Sequence, residues 1–180
     1  EPIIAMLGVF IYGATVAILL AIILETIAVD ILGAVLGVGV LGLVLAVIVA
    51  PVVEEFTKAT GVFAARSRLD EIENGLVYGA AVGLGFAATE NMLYFIDAMN
   101  AGTDIFVYNA IARTLTSTLL HASASAIVGF GIARSGAALR WYGTRSSWLP
   151  YYLIAVVIHA VFNLLISLGE IYPEEAGILS

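Results

Sequence analysis

Long apolar stretches separated by short polar connectors dominate this chain. Five of them predict membrane-spanning helices, at approximately 3–24, 37–65, 75–98, 104–133 and 148–168. Each approaches or exceeds the roughly 20 apolar residues that a helix needs to cross a bilayer, and the stretches lack the alternation of membrane β-barrel strands. The pattern predicts an all-α fold, a polytopic membrane helical bundle of about five transmembrane helices, with residues 1–180 in a single membrane-embedded domain.

The second stretch is the one in which the helix ends are hardest to place. Several glycines make the first residue of this helix difficult to assign. Further along, Pro51 precedes an acidic pair, Glu54 and Glu55. A proline inside a membrane helix bends the axis but is tolerated where neighbouring helices supply partners. We predict one long helix over 37–65, since a helix that stopped before Glu54 would keep the acidic pair away from the other spans.

The third stretch carries a row of small residues followed by two polar ones. Gly75, Gly79 and Gly83 recur at every fourth position, which predicts close approach of another helix. Glu90 and Asn91 follow within the same apolar run. An ionisable group at membrane depth is rare and costly, so Glu90 indicates a functional site with partners on other helices.

The composition is that of a membrane protein, and it excludes every kind of site that depends on cysteine. Of the 180 residues, 62% are hydrophobic and 12% charged, with a mean hydropathy of +1.07. We therefore expect a lipid bilayer as environment, and the net charge of −7 gives no reason to expect a nucleic-acid partner. The absence of cysteine excludes disulfides, thiolate metal ligands and a thiol nucleophile. Nothing in the sequence sets the oligomeric state.

Basic residues predict the orientation. They concentrate in and around the connectors between the second and third and between the fourth and fifth stretches, at Lys58, Arg66, Arg68, Arg134, Arg140 and Arg145. By the positive-inside tendency these two connectors are cytoplasmic. An integral protein of the cell membrane with five spans would then have its N-terminus inside and its acidic C-terminal tail outside.

Few ionisable or amide side chains lie inside the predicted spans. They are Glu54, Glu55, Lys58, Glu90, Arg113, His121 and His159, with Asn91 and Asn163. Two histidines and a glutamate from different helices are the ligand types of a catalytic zinc site, and a further glutamate could take a proton from water. Each residue alone also fits a structural role, such as a Glu54–Lys58 or Glu90–Arg113 ion pair, or interhelical packing of either histidine.

Four short motifs occur in order on four of the predicted helices. They are EExxK at Glu54–Lys58, FxxxE followed by asparagine at Phe86–Asn91, a lone histidine at His121 in a small-residue helix, and HAxxN at His159–Asn163. Over 51–165 these motifs resemble the PrsW family of intramembrane proteases, which is related more distantly to CAAX-prenyl endopeptidases and bacteriocin-immunity proteins.

The resemblance implies an intramembrane metalloprotease that hydrolyses transmembrane or membrane-anchored protein substrates with a zinc-activated water. It implies that Glu54 and Glu55 include the general base, that Asn163 assists catalysis, and that the metal or water ligands are Glu90, His121 and His159. Supporting roles are predicted for Lys58, Asn91 and Ser125. Three alternatives stay open: a metal-independent glutamate protease of the same fold, a transporter, and a non-catalytic membrane scaffold.

Overall fold

The chain forms a bundle of helices. The computed structural model describes residues 3–171, which contain six long helices, one short 3-10 helix at Arg66–Arg68 and no β-strand. The helices are α1 (Ile3–Gly33), α2 (Val38–Ala64), α3 (Ile72–Ala101), α4 (Thr103–Leu115), α5 (Ser117–Tyr142) and α6 (Leu149–Ile171). The predicted all-α membrane bundle is confirmed. Of the predicted acidic tail, Glu170 belongs to the last turn of α6, and Glu174 and Glu175 lie outside the described residues.

Within 3–171, four segments are long and apolar enough to cross a membrane, against the five predicted. They are α1, α2, the continuous run Thr103–Tyr142 and α6. The segment that accounts for the difference is α3. Its glycines, together with Glu90 and Asn91, lower the mean hydropathy of the predicted third span. Helix α3 packs against α1, α2, α4 and α5, so many of its side chains face protein instead of lipid. An enclosed helix does not need the hydropathy of a lipid-facing one.

Two helix boundaries differ from the expected ones. Helix α1 does not end at residue 24 but continues to Gly33, and it contains a π-helical turn at Gly13–Ala17. The predicted fourth span, 104–133, is interrupted at Thr116, which separates α4 from α5. There the Thr116 hydroxyl donates to the carbonyl of Ala112 at 2.7 Å, a side-chain bond that competes with regular helix geometry.

The small-residue row of α3 packs directly against the backbone of α5. A Cβ atom on Gly75, Gly79 or Gly83 would overlap the carbonyl oxygens of Gly129, Ser125 and His121, respectively. Because the two series run in opposite directions, α3 and α5 are antiparallel. The backbones of α3 and α5 can come into contact because the three glycines have no side chains. The same contact fixes the height of His121 opposite Gly83, about two turns before Glu90.

Candidate active site

One face of α2 carries three buried charged side chains. Glu54, Glu55 and Lys58 share that face because they are three and four residues apart, and their exposed fractions are only 6%, 0% and 1%. The Lys58 Nζ atom donates to Glu55 Oε1 at 2.6 Å and lies 3.6 Å from Glu54 Oε2. Lys58 thus binds both carboxylates, with the shorter contact to Glu55.

Both histidines of the chain contact this charged face. His121 of α5 and His159 of α6 are buried, with ring centroids 5.0 Å apart. The Nδ1 atom of His159 lies 2.9 Å from Glu55 Oε1. The Nδ1 atom of His121 lies 2.9 Å from Lys58 Nζ and 3.8 Å from Glu54 Oε2. Polar residues of α2, α5 and α6 therefore form one buried cluster.

Glu90 joins the cluster from α3 and is held by a second cation. Its Oε2 atom lies 2.9 Å from His121 Nε2 and 2.7 Å from a terminal nitrogen of Arg113. The Nε of Arg113 donates to Asn91 Oδ1 at 2.9 Å, and the Asn91 amide donates to Thr118. The sequence left the partner of Arg113 open, and the structure pairs it with Glu90. Asn91 helps to position that arginine.

Asn163 connects α6 to a distorted turn of α2. Its side-chain amide donates to the carbonyl of Ala46 at 2.8 Å. Ala46 lies in the π-helical turn Leu45–Val49, where the N–H of Ala50 bonds to Leu45 instead of Ala46. Pro51, the next residue, has no N–H to offer. The Asn163 amide thus satisfies a backbone carbonyl that the helix itself leaves without a donor.

Ser125, predicted to support the site, lies one turn from His121 at the contact between α3 and α5. Its hydroxyl is buried and has no hydrogen-bond partner among residues 3–171. A Cβ on Gly83 would come within 2.9 Å of the Ser125 hydroxyl oxygen. Its surroundings are those of a small residue that lets the two helices approach.

The cluster forms one wall of a cavity of about 360 Å³. All six helices contribute to its lining, α4 through Arg113. The polar lining residues include Glu54, Glu90, Arg113, His121, His159 and Asn163. Glu55 and Lys58 are behind this wall and do not line it. Among the acidic pair, Glu54 is therefore the residue that a molecule in the cavity can reach.

Sequence reasoning missed an ionisable residue of this cavity, Glu25 of α1. Its side chain lines the cavity together with Glu54 and Glu90. Its Oε1 atom is buried and has no hydrogen-bond partner in the described part of the chain. The residue was overlooked because the first helix was expected to end at residue 24. A carboxylate directly after an apolar run, with further apolar residues beyond it, was the available signal.

The donor types and their proximity fit a metal ion. Over the residues that the structure describes, one group of possible ligands stands out: an oxygen of Glu54 and a nitrogen each of His121 and His159, all within 4.8 Å of one another. One glutamate and two histidines form a common catalytic zinc set, and Glu54 Oε2 is buried without a hydrogen-bond donor. The sequence expectation had assigned the carboxylate ligand to Glu90, and this assignment stays a prediction.

Comparison with known proteins agrees with the motifs. The chain is 34% identical to Protease PrsW of Geobacillus kaustophilus (strain HTA426), over 72% of this chain and 55% of that protein. It is 26% identical to Protease PrsW of Clostridioides difficile (strain 630), over 92% of this chain and 68% of the relative. The chain thus spans about half to two thirds of the length of these two relatives. No solved structure matches it.

A family model covers nearly the whole chain. The family is described as PrsW family intramembrane metalloprotease, and its model matches residues 1–178. Together with the four apolar helices, this match identifies an integral membrane protein. The resemblance predicted from the four motifs is confirmed, and the chain belongs to the PrsW family of intramembrane proteases.

Proposed function

We propose that this protein is an intramembrane peptidase that hydrolyses peptide bonds of transmembrane or membrane-anchored proteins. The observation that carries the proposal is the meeting of Glu54, His121 and His159 from three helices at the wall of one cavity. Buried ionisable groups in membrane helices are costly and mark functional sites. The relatives named Protease PrsW support the same reaction class.

Glu54 is the proposed general base. It lines the cavity, and its Oε2 atom has no hydrogen-bond donor among the described residues, so it is free to accept a proton from water. Glu55 Oε1 instead accepts hydrogen bonds from Lys58 and His159. We assign Glu55 to orienting His159, the role that a carboxylate behind a catalytic histidine usually has.

His121, His159 and a cavity glutamate are the residues that would hold zinc. The family resemblance favours Glu90 as that glutamate. Zinc bound there would polarise a substrate carbonyl and make a water molecule nucleophilic near neutral pH. Charge supports a cation at this position, because Glu54 and Glu55 face only one buried ammonium, that of Lys58. An uncompensated buried carboxylate is unfavourable.

A metal-independent glutamate protease is the second candidate, and one observation favours it. Both ring nitrogens of His121 have partners, since Nδ1 contacts Lys58 Nζ and Nε2 contacts Glu90 Oε2. A metal would have to displace one of them. Without metal, Glu54 would activate water directly, and the second amide hydrogen of Asn163 at the cavity wall would be donated to the oxyanion of the tetrahedral intermediate.

The proposed activity can be tested without knowing the substrate. Purified protein is reconstituted in liposomes with solubilised membrane proteins of its host, and new N-termini are identified by mass spectrometry. We expect new N-termini within or beside transmembrane segments for the wild type and for Glu71→Gln, a change at an exposed carboxylate. For Glu54→Gln we expect their yield to fall by about 10²–10⁴-fold. Identical sets of N-termini for wild type and Glu54→Gln would overturn the proposal.

A further inference from the structure

A second cavity, of about 610 Å³, lies at the opposite end of the bundle from the active-site cavity. It is bordered by the end of α2, the connector to α3, the end of α5 and the start of α6. We call it the basic groove, and its lining includes Arg66, Arg140, Arg145, Phe63, Ile132 and Trp148. Three guanidinium groups and several apolar side chains therefore share one concave surface.

The concentration of positive charge is unusual for this chain. The sequence has 7 Lys and Arg residues against 14 Asp and Glu residues, yet three of the basic residues line this groove. Among the described residues that line it there is no carboxylate. Asp70 lies at the rim, 3.6 Å from Arg140, in a pair that is largely exposed to solvent. The groove is thus suited to an anion.

The position of the groove specifies the kind of anion. Its arginines lie where α2 and α5 end and α6 begins, which is the depth of lipid headgroups for helices that cross a bilayer. Trp148 packs against Phe63, with ring centroids 5.2 Å apart. Tryptophan is enriched at this membrane depth. In the same lining, the half-buried Phe63 and the exposed Leu139 present apolar surface that can contact acyl chains.

We propose that the basic groove binds the phosphate headgroup of an anionic phospholipid. Arginine forks bind phosphate oxygens in bidentate fashion. The Ser146 hydroxyl adds a polar group to the same lining, whereas the Ser135 hydroxyl already donates to the carbonyl of Ser146. Basic pockets between membrane helices are known to take such headgroups. The site is separate from the active-site cavity, so its lipid binding does not depend on the proposed peptidase reaction.

Native mass spectrometry of the detergent-purified full chain tests the proposal, with phosphatidylglycerol as the probe. The test variant is Arg66→Gln with Arg145→Gln, two exposed side chains. A basic residue near an anionic headgroup is worth roughly a factor of five in affinity, so we expect roughly 25-fold weaker binding. Arg140 is left in place because it donates to the carbonyl of Leu69 at 2.7 Å and so supports the connector.

The matched control is Arg68→Gln with Arg134→Gln. It removes the same charge from the same end of the bundle, at Arg68 in the connector between α2 and α3 and at the exposed Arg134 near the end of α5. Neither residue lines the groove, so we expect wild-type affinity. Replacing Arg66 and Arg145 by lysine should restore most of the binding that is lost with glutamine. Size-exclusion monodispersity and the thermal midpoint are measured for every variant, to establish that each one is folded.

Three outcomes would overturn the proposal. The first is equal weakening by the test and control pairs, which would indicate a general effect of charge. The second is phosphatidylcholine retained as tightly as phosphatidylglycerol. The third is inorganic phosphate or glycerol phosphate that displaces the lipid at equal concentration, which would assign the groove to a soluble phosphate instead.

Discussion

The Nζ atom of Lys58 lies 2.9 Å from Nδ1 of His121, and both side chains are buried. An ammonium group can only donate, so Nδ1 must be the acceptor. His121 then carries its proton on Nε2 and directs it at Glu90 Oε2, 2.9 Å away. Lys58 therefore does more than neutralise the acidic pair on its own helix, because it also selects the tautomer of a histidine on α5.

Replacing Lys58 by methionine should strongly destabilise the protein. The change leaves Glu54 and Glu55 buried without their cation, and removing one partner of a buried ion pair typically costs about 3–5 kcal/mol. We expect a lower thermal midpoint in detergent. Lys58→Met combined with Glu55→Gln removes one charge of each sign and should recover part of the loss. A midpoint that is unchanged in Lys58→Met would contradict this account of the cluster.

Glutamine variants should distinguish the roles of Glu54 and Glu55. Glu54→Gln should lower the cleavage rate by about 10²–10⁴-fold, the range for loss of a general base, while the zinc content stays at the wild-type level. Glu55→Gln should act indirectly by loosening His159, to which it is bonded at 2.9 Å, and so lower both rate and zinc content. Loss of zinc in Glu54→Gln would instead make Glu54 a ligand.

Metal content decides between the two proposed mechanisms. We expect about one zinc ion per chain by plasma mass spectrometry of purified protein, reduced in His121→Ala and in His159→Ala, because each removes one ligand of the proposed set. Ser123→Ala, on the exposed side of α5 near His121, is the control and should keep its zinc. Full activity in a preparation without metal would support the glutamate protease that uses water alone.

The packing of α3 on α5 should be sensitive to a single methyl group. In Gly83→Ala the new Cβ would overlap the carbonyl of His121, so α5 must shift and take His121 with it. Overpacking of this kind costs about 1–3 kcal/mol. We expect a lower thermal midpoint and lower activity. Gly42→Ala, where the structure has nothing within 4 Å of the added atom, should behave as wild type.

The sequence was sufficient for the fold class because membrane helices are set by the length of apolar runs. It also placed Glu54, His121 and His159 on different helices at membrane depth. The sequence predicted five apolar spans, and four segments of 3–171 are apolar enough to cross a membrane, since α3 is positioned by helix packing and not by hydropathy. The predicted end of α1 at residue 24 was also wrong. Glu25 faces a cavity inside the protein, so this carboxylate does not terminate the helix.

Side-chain pairing could not be predicted from the sequence. Whether Lys58 bonds to Glu54, Glu55 or His121 depends on how α5 is rotated against α2 and α3, and that rotation follows from glycine contacts across the interface. The sequence left Glu90, Asp97 and Asp104 as possible partners of Arg113, and only the fold selects Glu90. The bond from Asn163 to Ala46 likewise requires the π-helical turn before Pro51. The proline indicated a bend and a partner on a neighbouring helix, but neither the π-helical turn nor the identity of that partner.

The orientation inferred from the basic connectors can be tested by labelling, because the chain contains no cysteine and any introduced thiol is unique. Ser67→Cys lies after α2, in the connector predicted to be cytoplasmic, and Ala34→Cys lies before α2; both positions are exposed. A helix of 27 residues separates them, so they are about 40 Å apart, enough to reach opposite faces of a bilayer. A membrane-impermeant maleimide should label Ala34→Cys in intact cells, and Ser67→Cys only after permeabilisation. The reverse pattern would show that the basic connectors face outward.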